Sequence, residues 1–171
     1  MKRQKFLQSL RKLIPEYGSE NIVYFDESGF EPTTYRDYGW AIRGKKLYID
    51  VTGKREKRTN LIMAQRGRQG KDWLAPMLFQ GACSALTVQT WVKEFLLKEL
   101  KNPSIIIMDN APVHNKKTIR KLFEDQGHTL LPLPPYSPDF NPIEKTFGAM
   151  KKIRRSLPEG AAIDDLFLCN S

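Results

Sequence analysis

The sequence predicts an α/β fold, a mixed β-sheet with α-helices on its faces, and three observations lead there. Ile105-Ile106-Ile107-Met108 is a short uninterrupted apolar run, the pattern of a strand buried on both faces at the centre of a sheet. Before it stand β-branched and aromatic runs at Ile22–Phe25, Tyr38–Ile42, Leu47–Val51 and Thr59–Ala64, joined by Gly and basic turns as in an antiparallel meander. On either side of it, at Val88–Leu100 and at about 116–126, the apolar period is that of a helix. The order along the chain is β-β-β-β-α-β-α-β-α, with no internal repeat.

Each element has its own signal. Residues 1–14 carry Phe6, Leu7, Leu10, Leu13 and Ile14 at helical spacing with five basic residues and no acid, an amphipathic helix expected to end near Pro15. Ile22–Phe25 reads as a strand closed by Asp26 and a Ser-Gly turn. Val88, Trp91, Val92, Phe95, Leu96 and Leu100 mark one face of a helix, with Thr87 as its N-cap. Ile119, Leu122 and Phe123 place a helix over about 116–126, and a strand is expected at about 129–133. A Pro-rich loop then leads to a last helix from about 142 to 155. Trp40, Trp73 and Trp91 are expected to pack the core.

Composition bounds the function. The chain has 171 residues, 40% hydrophobic and 11% aromatic, which excludes a disordered tail and fits one domain. A domain of this size buries roughly 70% of the surface its unfolded chain exposes, so no disulfide or structural metal is needed. Cys83 and Cys169 have no CxxC spacing or His cluster, which argues for a reducing compartment and against zinc. No apolar stretch is long enough to span a bilayer, and the basic N-terminus lacks the apolar run of a signal peptide. The expectation is a soluble, intracellular domain. Its formal net charge of +9 points to a polyanion. The charge is clustered: residues 53–72 hold seven cations against Glu56 and Asp72, and residues 145–155 hold Lys145, Lys151, Lys152, Arg154 and Arg155 with no acid.

Three carboxylates stand where secondary structure is expected to end or begin. Asp26 follows the first strand, Asp109 follows the apolar strand, and Glu144 lies in the first turn of the last helix. Sites in open α/β sheets gather beyond strand ends, and carboxylates brought together there repel one another unless a cation sits between them. Oxygen donors of this kind suit Mg²⁺ or Mn²⁺, and two such ions about 3.5–4 Å apart can activate a hydroxyl and stabilise a leaving oxygen at phosphorus. Each acid also has a structural reading. Asp26 and Asp109-Asn110-Ala111-Pro112 are good turn chemistry, and Asn141-Pro142-Ile143-Glu144 fits N-cap, N1, N2 and N3 of a capped helix.

The motifs around these acids carry a resemblance. Leu133-Pro-Pro-Tyr-Ser-Pro-Asp-Phe-Asn-Pro-Ile-Glu144 resembles the third catalytic motif of DDE transposases of the Tc/mariner superfamily, closest in character to bacterial insertion sequences of the six-thirty group. Asp109-Asn-Ala-Pro-Val-His114 is similar to the second motif and Phe25-Asp-Glu-Ser28 to the first. Between Asp109 and Glu144 lie 34 residues, the spacing of this superfamily. Gly39–Gly44 and Leu78–Gly81 also resemble family segments, and the likeness covers about residues 20–157.

The resemblance implies a ribonuclease H-like, retroviral-integrase-like fold. It makes Asp26, Asp109 and Glu144 the catalytic, metal-binding triad, served by two Mg²⁺ ions with Mn²⁺ as a substitute. The implied reaction is hydrolytic nicking at transposon ends followed by attack of a freed 3′-hydroxyl on target DNA, in the bacterial cytoplasm with the nucleoid. No covalent intermediate is implied, so Ser28 and Tyr136 are read as loop-shaping residues. Glu27 alternates with Asp26 and is expected to point to the other side of the sheet. Asp139, in the Pro-rich loop, is a weaker rival to Glu144, and His114 is read as approaching DNA or stabilising its turn.

Expected DNA contacts are Arg43, Lys45, Lys46, Lys116, Lys117, Lys145, Lys151, Lys152, Arg154 and Arg155, with double-stranded DNA, both transposon ends and target, as the partner. The expected division is a basic linker or remnant helix over 1–20, the catalytic domain over 21–157 and a truncated tail over 158–171. Only 21 residues precede the first strand, too few for the helix-turn-helix region usual in the family, so such a domain is expected to be missing or separately encoded. A homodimer is a further expectation. The rival readings are an inactive remnant that only binds DNA, and a nuclease for RNA–DNA hybrids.

Overall fold

The computed structural model describes residues 2–31, 58–110, 116–157, 163, 164 and 166. The expected strands over Tyr38–Ile42 and Leu47–Val51 lie outside these residues, as do Trp40, Arg43, Lys45, Lys46, His114 and Cys169. In chain order the elements are α1 (Lys2–Tyr17), β1 (Ile22–Phe30), β2 (Thr59–Arg66), β3 (Asp72–Gln80), α2 (Ala85–Trp91), a π-helical turn (Val92–Leu96), α3 (Leu97–Glu99), β4 (Ile105–Met108), α4 (Lys116–Glu124), β5 (Thr129–Pro132) and α5 (Ile143–Ser156).

The strands form one five-stranded sheet in the order β3-β2-β1-β4-β5. β1 pairs antiparallel with β2 and parallel with β4, and β4 pairs parallel with β5. All four residues of β4 are buried, as its unbroken apolar run requires. Alternation along the strands divides the core into two layers. Val23, Phe25, Ile62, Ala64, Ile106 and Met108 pack under Val88, Trp91, Leu96, Ile119 and Phe123 of the helices on one face. Ile22, Tyr24, Met63, Ile105 and Ile107 pack under Phe6 of α1, Ile143, Phe147 and Met150 of α5, and Leu166.

Four expectations are corrected. β1 does not stop at Asp26: its ladder with β2 runs on through Asp26↔Met63, Ser28↔Leu61 and Phe30↔Thr59, so strand pairing overrides the local turn preference of Ser-Gly. The sequence does not predict β3, because Pro76 breaks its strand pattern; among the described residues β3 is the edge of the sheet, where a missing N–H is tolerated. Its register shifts between Ile62 and Ala64, and Ala75 there adopts a left-handed φ of 48°. The strained residue is pinned at both ends, its N–H donating to Glu99 Oε2 at 3.0 Å and its carbonyl accepting from Trp91 Nε1 at 2.7 Å. α1 runs past Pro15 to Tyr17 and ends at Gly18, whose φ of 84° and N–H to the Ile14 carbonyl make it the C-terminal stop. The N-cap of α2 is Ser84, not Thr87; Ser84 Oγ accepts from the Thr87 N–H at 3.1 Å.

Trp91 is the keystone of the first layer, fully buried with its ring 5.4 Å from that of Phe25. Trp91→Phe keeps an aromatic ring but leaves the Ala75 carbonyl without its donor. The expected loss is about 2 kcal/mol, read as a lower urea midpoint at unchanged slope.

Candidate active site

The sheet brings Asp26 and Asp109 together by register. β1 and β4 pair as Tyr24↔Ile107, and the same register carried two residues further sets Asp26 beside Asp109, just past the end of β4. Asp109 therefore closes its strand as the apolar pattern implies, whereas Asp26 projects from the middle of a longer one.

The third acid arrives through the Pro-rich loop. After β5 the chain turns at Tyr136, with a φ of 54° that fits loop shaping, and passes a 3₁₀ turn at Pro138–Phe140 into α5. Ile143 and Phe147 bury one face of α5 against the sheet, which leaves Glu144 exposed in its first turn. Asn141 is 2% exposed, and its Nδ2 donates to Asp26 Oδ2 at 3.0 Å. This corrects the capping expectation: Pro142 holds the N-cap position, and the Asn141 amide ties the start of α5 to β1 instead. Asp109, Tyr136, Asn141 and Glu144 line a cleft of about 430 Å³.

Electrostatics ties the acids into one group. Burial, first, pushes the Asp26 carboxyl up to about 7; the Glu27 N–H at 2.8 Å opposes the rise, and the charges of Asp109, Glu27 and Glu144 add to it. Such a carboxylate is stabilised by a cation, and its neighbours offer the hard oxygen donors that Mg²⁺ or Mn²⁺ prefer. Among the described residues no three His, Cys, Asp or Glu side chains converge as a preformed ion cage. Mg²⁺ does not require one, because it keeps several waters and is held by one or two carboxylates together with substrate phosphates. The donor set therefore fits such an ion.

The remaining acids fall elsewhere. Glu27 lines a groove with Asn60 and Cys83 on the other face of β1, although its charge is still felt at Asp26. Burial, then the charges of Glu27 and Asp26, pushes the Cys83 thiol up to about 11, so it stays protonated. Asp139 is engaged by Arg3 of α1, whose guanidinium lies 4.4 Å from the Phe140 ring centre, while Phe6 stacks on Phe140 at 5.5 Å. Thus α1 clamps the loop that delivers Glu144.

The cations also separate. Lys116 Nζ donates to the Asn110 carbonyl at 3.1 Å, beside Asp109. Lys117, Lys145, Lys151, Lys152 and Arg155 are exposed, whereas Arg154 is 7% exposed and does not present a free cationic surface. Two features escape a reading of the sequence. One is the Asn141–Asp26 bond, hidden because Asn before Pro looks like a helix cap. The other is the β2–β3 turn, where Gly70 has a φ of 69° and a Cβ would meet Thr146 Oγ1 at 2.8 Å. Gly70→Ala should therefore cost about 1–2 kcal/mol, visible as a fall in Tm.

A mixed sheet in this order, with helices on both faces, an acid on β1 and another just past β4, defines a ribonuclease H-like fold. The chain belongs to the DDE superfamily endonucleases, whose family profile matches residues 21–166 and so spans all three acids. The pre-cleavage Mos1 transpososome superposes with a TM-score of 0.69 at 21% identity, over 89% of this chain and 48% of that one. The Mos1 mariner paired-end complex with Mn gives 0.71 at 19% identity, over 99% and 53%. The catalytic domain of Mos1 mariner transposase gives 0.61 at 16% identity, over 98% and 76%. At these identities the likeness speaks for the fold, and the chain spans about half the length of the Mos1 chains in the DNA complexes. No sequence among the curated proteins matches it.

Proposed function

We propose that this chain is the catalytic domain of a transposase, cutting DNA with a divalent metal and joining freed 3′ ends to target DNA as an insertion sequence moves. The observation that carries the reading is the half-buried Asp26 carboxyl, raised to about 7 with the charges of Asp109 and Glu144 acting on it, in a member of an endonuclease family. Asp26, Asp109 and Glu144 would hold the metal, Mg²⁺ with Mn²⁺ as a substitute and two ions in all. That the matched Mos1 complexes include forms with Mn and with Mg supports the choice of metal.

Bound there, the metal supplies Lewis acidity to the phosphate and lowers the pKa of an attacking water or hydroxyl. The protein's own groups position and balance charge. Asn141 fixes the Asp26 carboxylate by holding Oδ2. Glu144, on the exposed first turn of α5, is open to a strand lying in the cleft. Lys116, Lys117, Lys145, Lys151, Lys152 and Arg155 neutralise phosphates alongside, and Arg43, Lys45 and Lys46 are assigned the same role on their sequence position. The catalytic domain is assigned to 21–157, working as a homodimer on bacterial DNA.

The test is nicking of supercoiled plasmid by the purified chain with and without Mn²⁺. Metal-dependent conversion to open circle supports the reading. DNA binding that is indifferent to metal, with no conversion, would instead favour a DNA-binding remnant.

A further inference from the structure

A second groove, of about 310 Å³, lies on the other flank of the first turns of α5, between that helix and the β2–β3 turn. Its lining includes Arg68, Gly70, Trp73, Lys145, Thr146 and Met150 and, among the described residues, no acidic one. The turn is held rigidly. Thr146 Oγ1 and Gln65 Oε1 are 2.5 Å apart, with Gln65 fully buried, and its Nε2 donates to the Gly67 carbonyl at 3.0 Å. Trp73 Nε1 donates to the Gly70 carbonyl at 2.8 Å. The charge of Arg68 acts on the hydroxyl of buried Tyr24, which precedes Asp26 by two residues on the same face of β1. That spacing corresponds to about 6.6 Å along a strand. Pro142 and Lys145, in the groove wall, adjoin Asn141 and Glu144 in the wall of the carboxylate cleft.

We infer that this groove is a phosphate-binding track for the DNA strand whose neighbouring segment occupies the carboxylate cleft. Arg68 and Lys145 neutralise its backbone phosphates, and the Trp73 and Met150 floor takes the sugar edge. Charge complementarity commits the groove to DNA: two cations and, among the described lining residues, no acid, on a chain of net charge +9. A rigid turn favours the role, because little side-chain or loop freedom is given up on binding. A mixed cationic and apolar lining is also how strand-tracking grooves are built. The groove touches the DNA backbone, so it sets grip and register and carries no base preference.

This inference rests on the reading of the chain as a DNA-cleaving domain, and the experiment separates the two. Binding of a fluorescent 30-base-pair duplex by the full chain is followed by anisotropy in EDTA at several NaCl concentrations. Each phosphate that is no longer neutralised should reduce the steepness of log K against log salt by about 0.9. Arg68→Gln with Lys145→Gln should therefore lower the slope by about 1.8, and Lys145→Gln alone by about 0.9. Arg68→Lys, which keeps the charge, should restore most of what Arg68→Gln removes. The control is Lys93→Gln with Lys98→Gln, an equal charge change at two exposed lysines paired with Glu94 in the helices of the other face; its slope should stay at the wild-type value. Equal reductions in control and groove variants would overturn the inference, as would a reduction from Lys145→Gln with none from Arg68→Gln. If the wild type fails to bind even in low salt, the functional reading falls and takes this inference with it.

Discussion

Asp109→Asn is expected to lower metal-dependent plasmid nicking about 10³-fold while moving Tm by no more than a few degrees. Losing a hard anionic donor removes several kcal/mol of charge stabilisation at the reacting phosphate, and each 1.36 kcal/mol is tenfold in rate. The fold has little reason to respond. Asp109 is half-buried just past β4, its replacement is nearly isosteric, and a like charge is removed from beside Asp26. Two comparisons sharpen the result. Asp139→Asn removes an acid held at the surface by Arg3, so nicking should change less than threefold. Glu27→Gln alters the opposite face of β1 and should act only through its long-range charge. Full activity in Asp109→Asn, or a comparable collapse in Asp139→Asn, would mean that the acids have been assigned the wrong roles.

Which parts are legible in the sequence follows from what kind of force fixes them. β4 and Asp109 can be read directly, because four consecutive buried apolar residues admit few structures other than a central strand. α5 can be read from its apolar face, and Glu144 with it. The failures occur where tertiary contacts override local preference. Ser28-Gly29 has turn chemistry, yet the ladder to β2 carries it through as strand. Pro76 conceals β3, whose edge position makes proline harmless. Asn141-Pro142 has the form of a cap, and the side chain serves Asp26 instead. That last failure lies within the candidate site, where a local rule is set aside for a long-range bond. Charge behaves similarly: the cluster at 53–72 is visible in composition, but only the hairpin geometry sets Arg68 against Lys145.

The half-buried Asp26 carboxylate makes stability depend on pH and metal together. With its pKa raised from 3.8 to about 7, Asp26 binds a proton in the folded state over a range where the unfolded chain has already released it. Stability from this group is therefore complete below about pH 4 and declines as pH rises toward 7, by at most about 4 kcal/mol. For a chain of this length that is roughly 10 °C in Tm. His128 works in the opposite sense. Its burial lowers its pKa, and its Nδ1 accepts the Ser104 N–H at 3.2 Å, so protonation at acid pH costs stability. The Asp26 contribution is isolated by subtracting the curve of Asp26→Asn, in which His128 and the other groups remain. The difference should grow steadily from pH 4 to pH 7, the variant becoming the more stable at neutral pH without metal. A divalent cation favours the charged carboxylate and should reverse this. Millimolar Mn²⁺ should raise the wild-type Tm more at pH 8 than at pH 5 and leave the Asp26→Asn curve nearly unmoved. Equal Mn²⁺ shifts in both proteins would show that the ion binds away from Asp26. A flat difference curve would show that the Asp26 carboxyl is already compensated by a positive partner, and so is not poised to receive a metal ion.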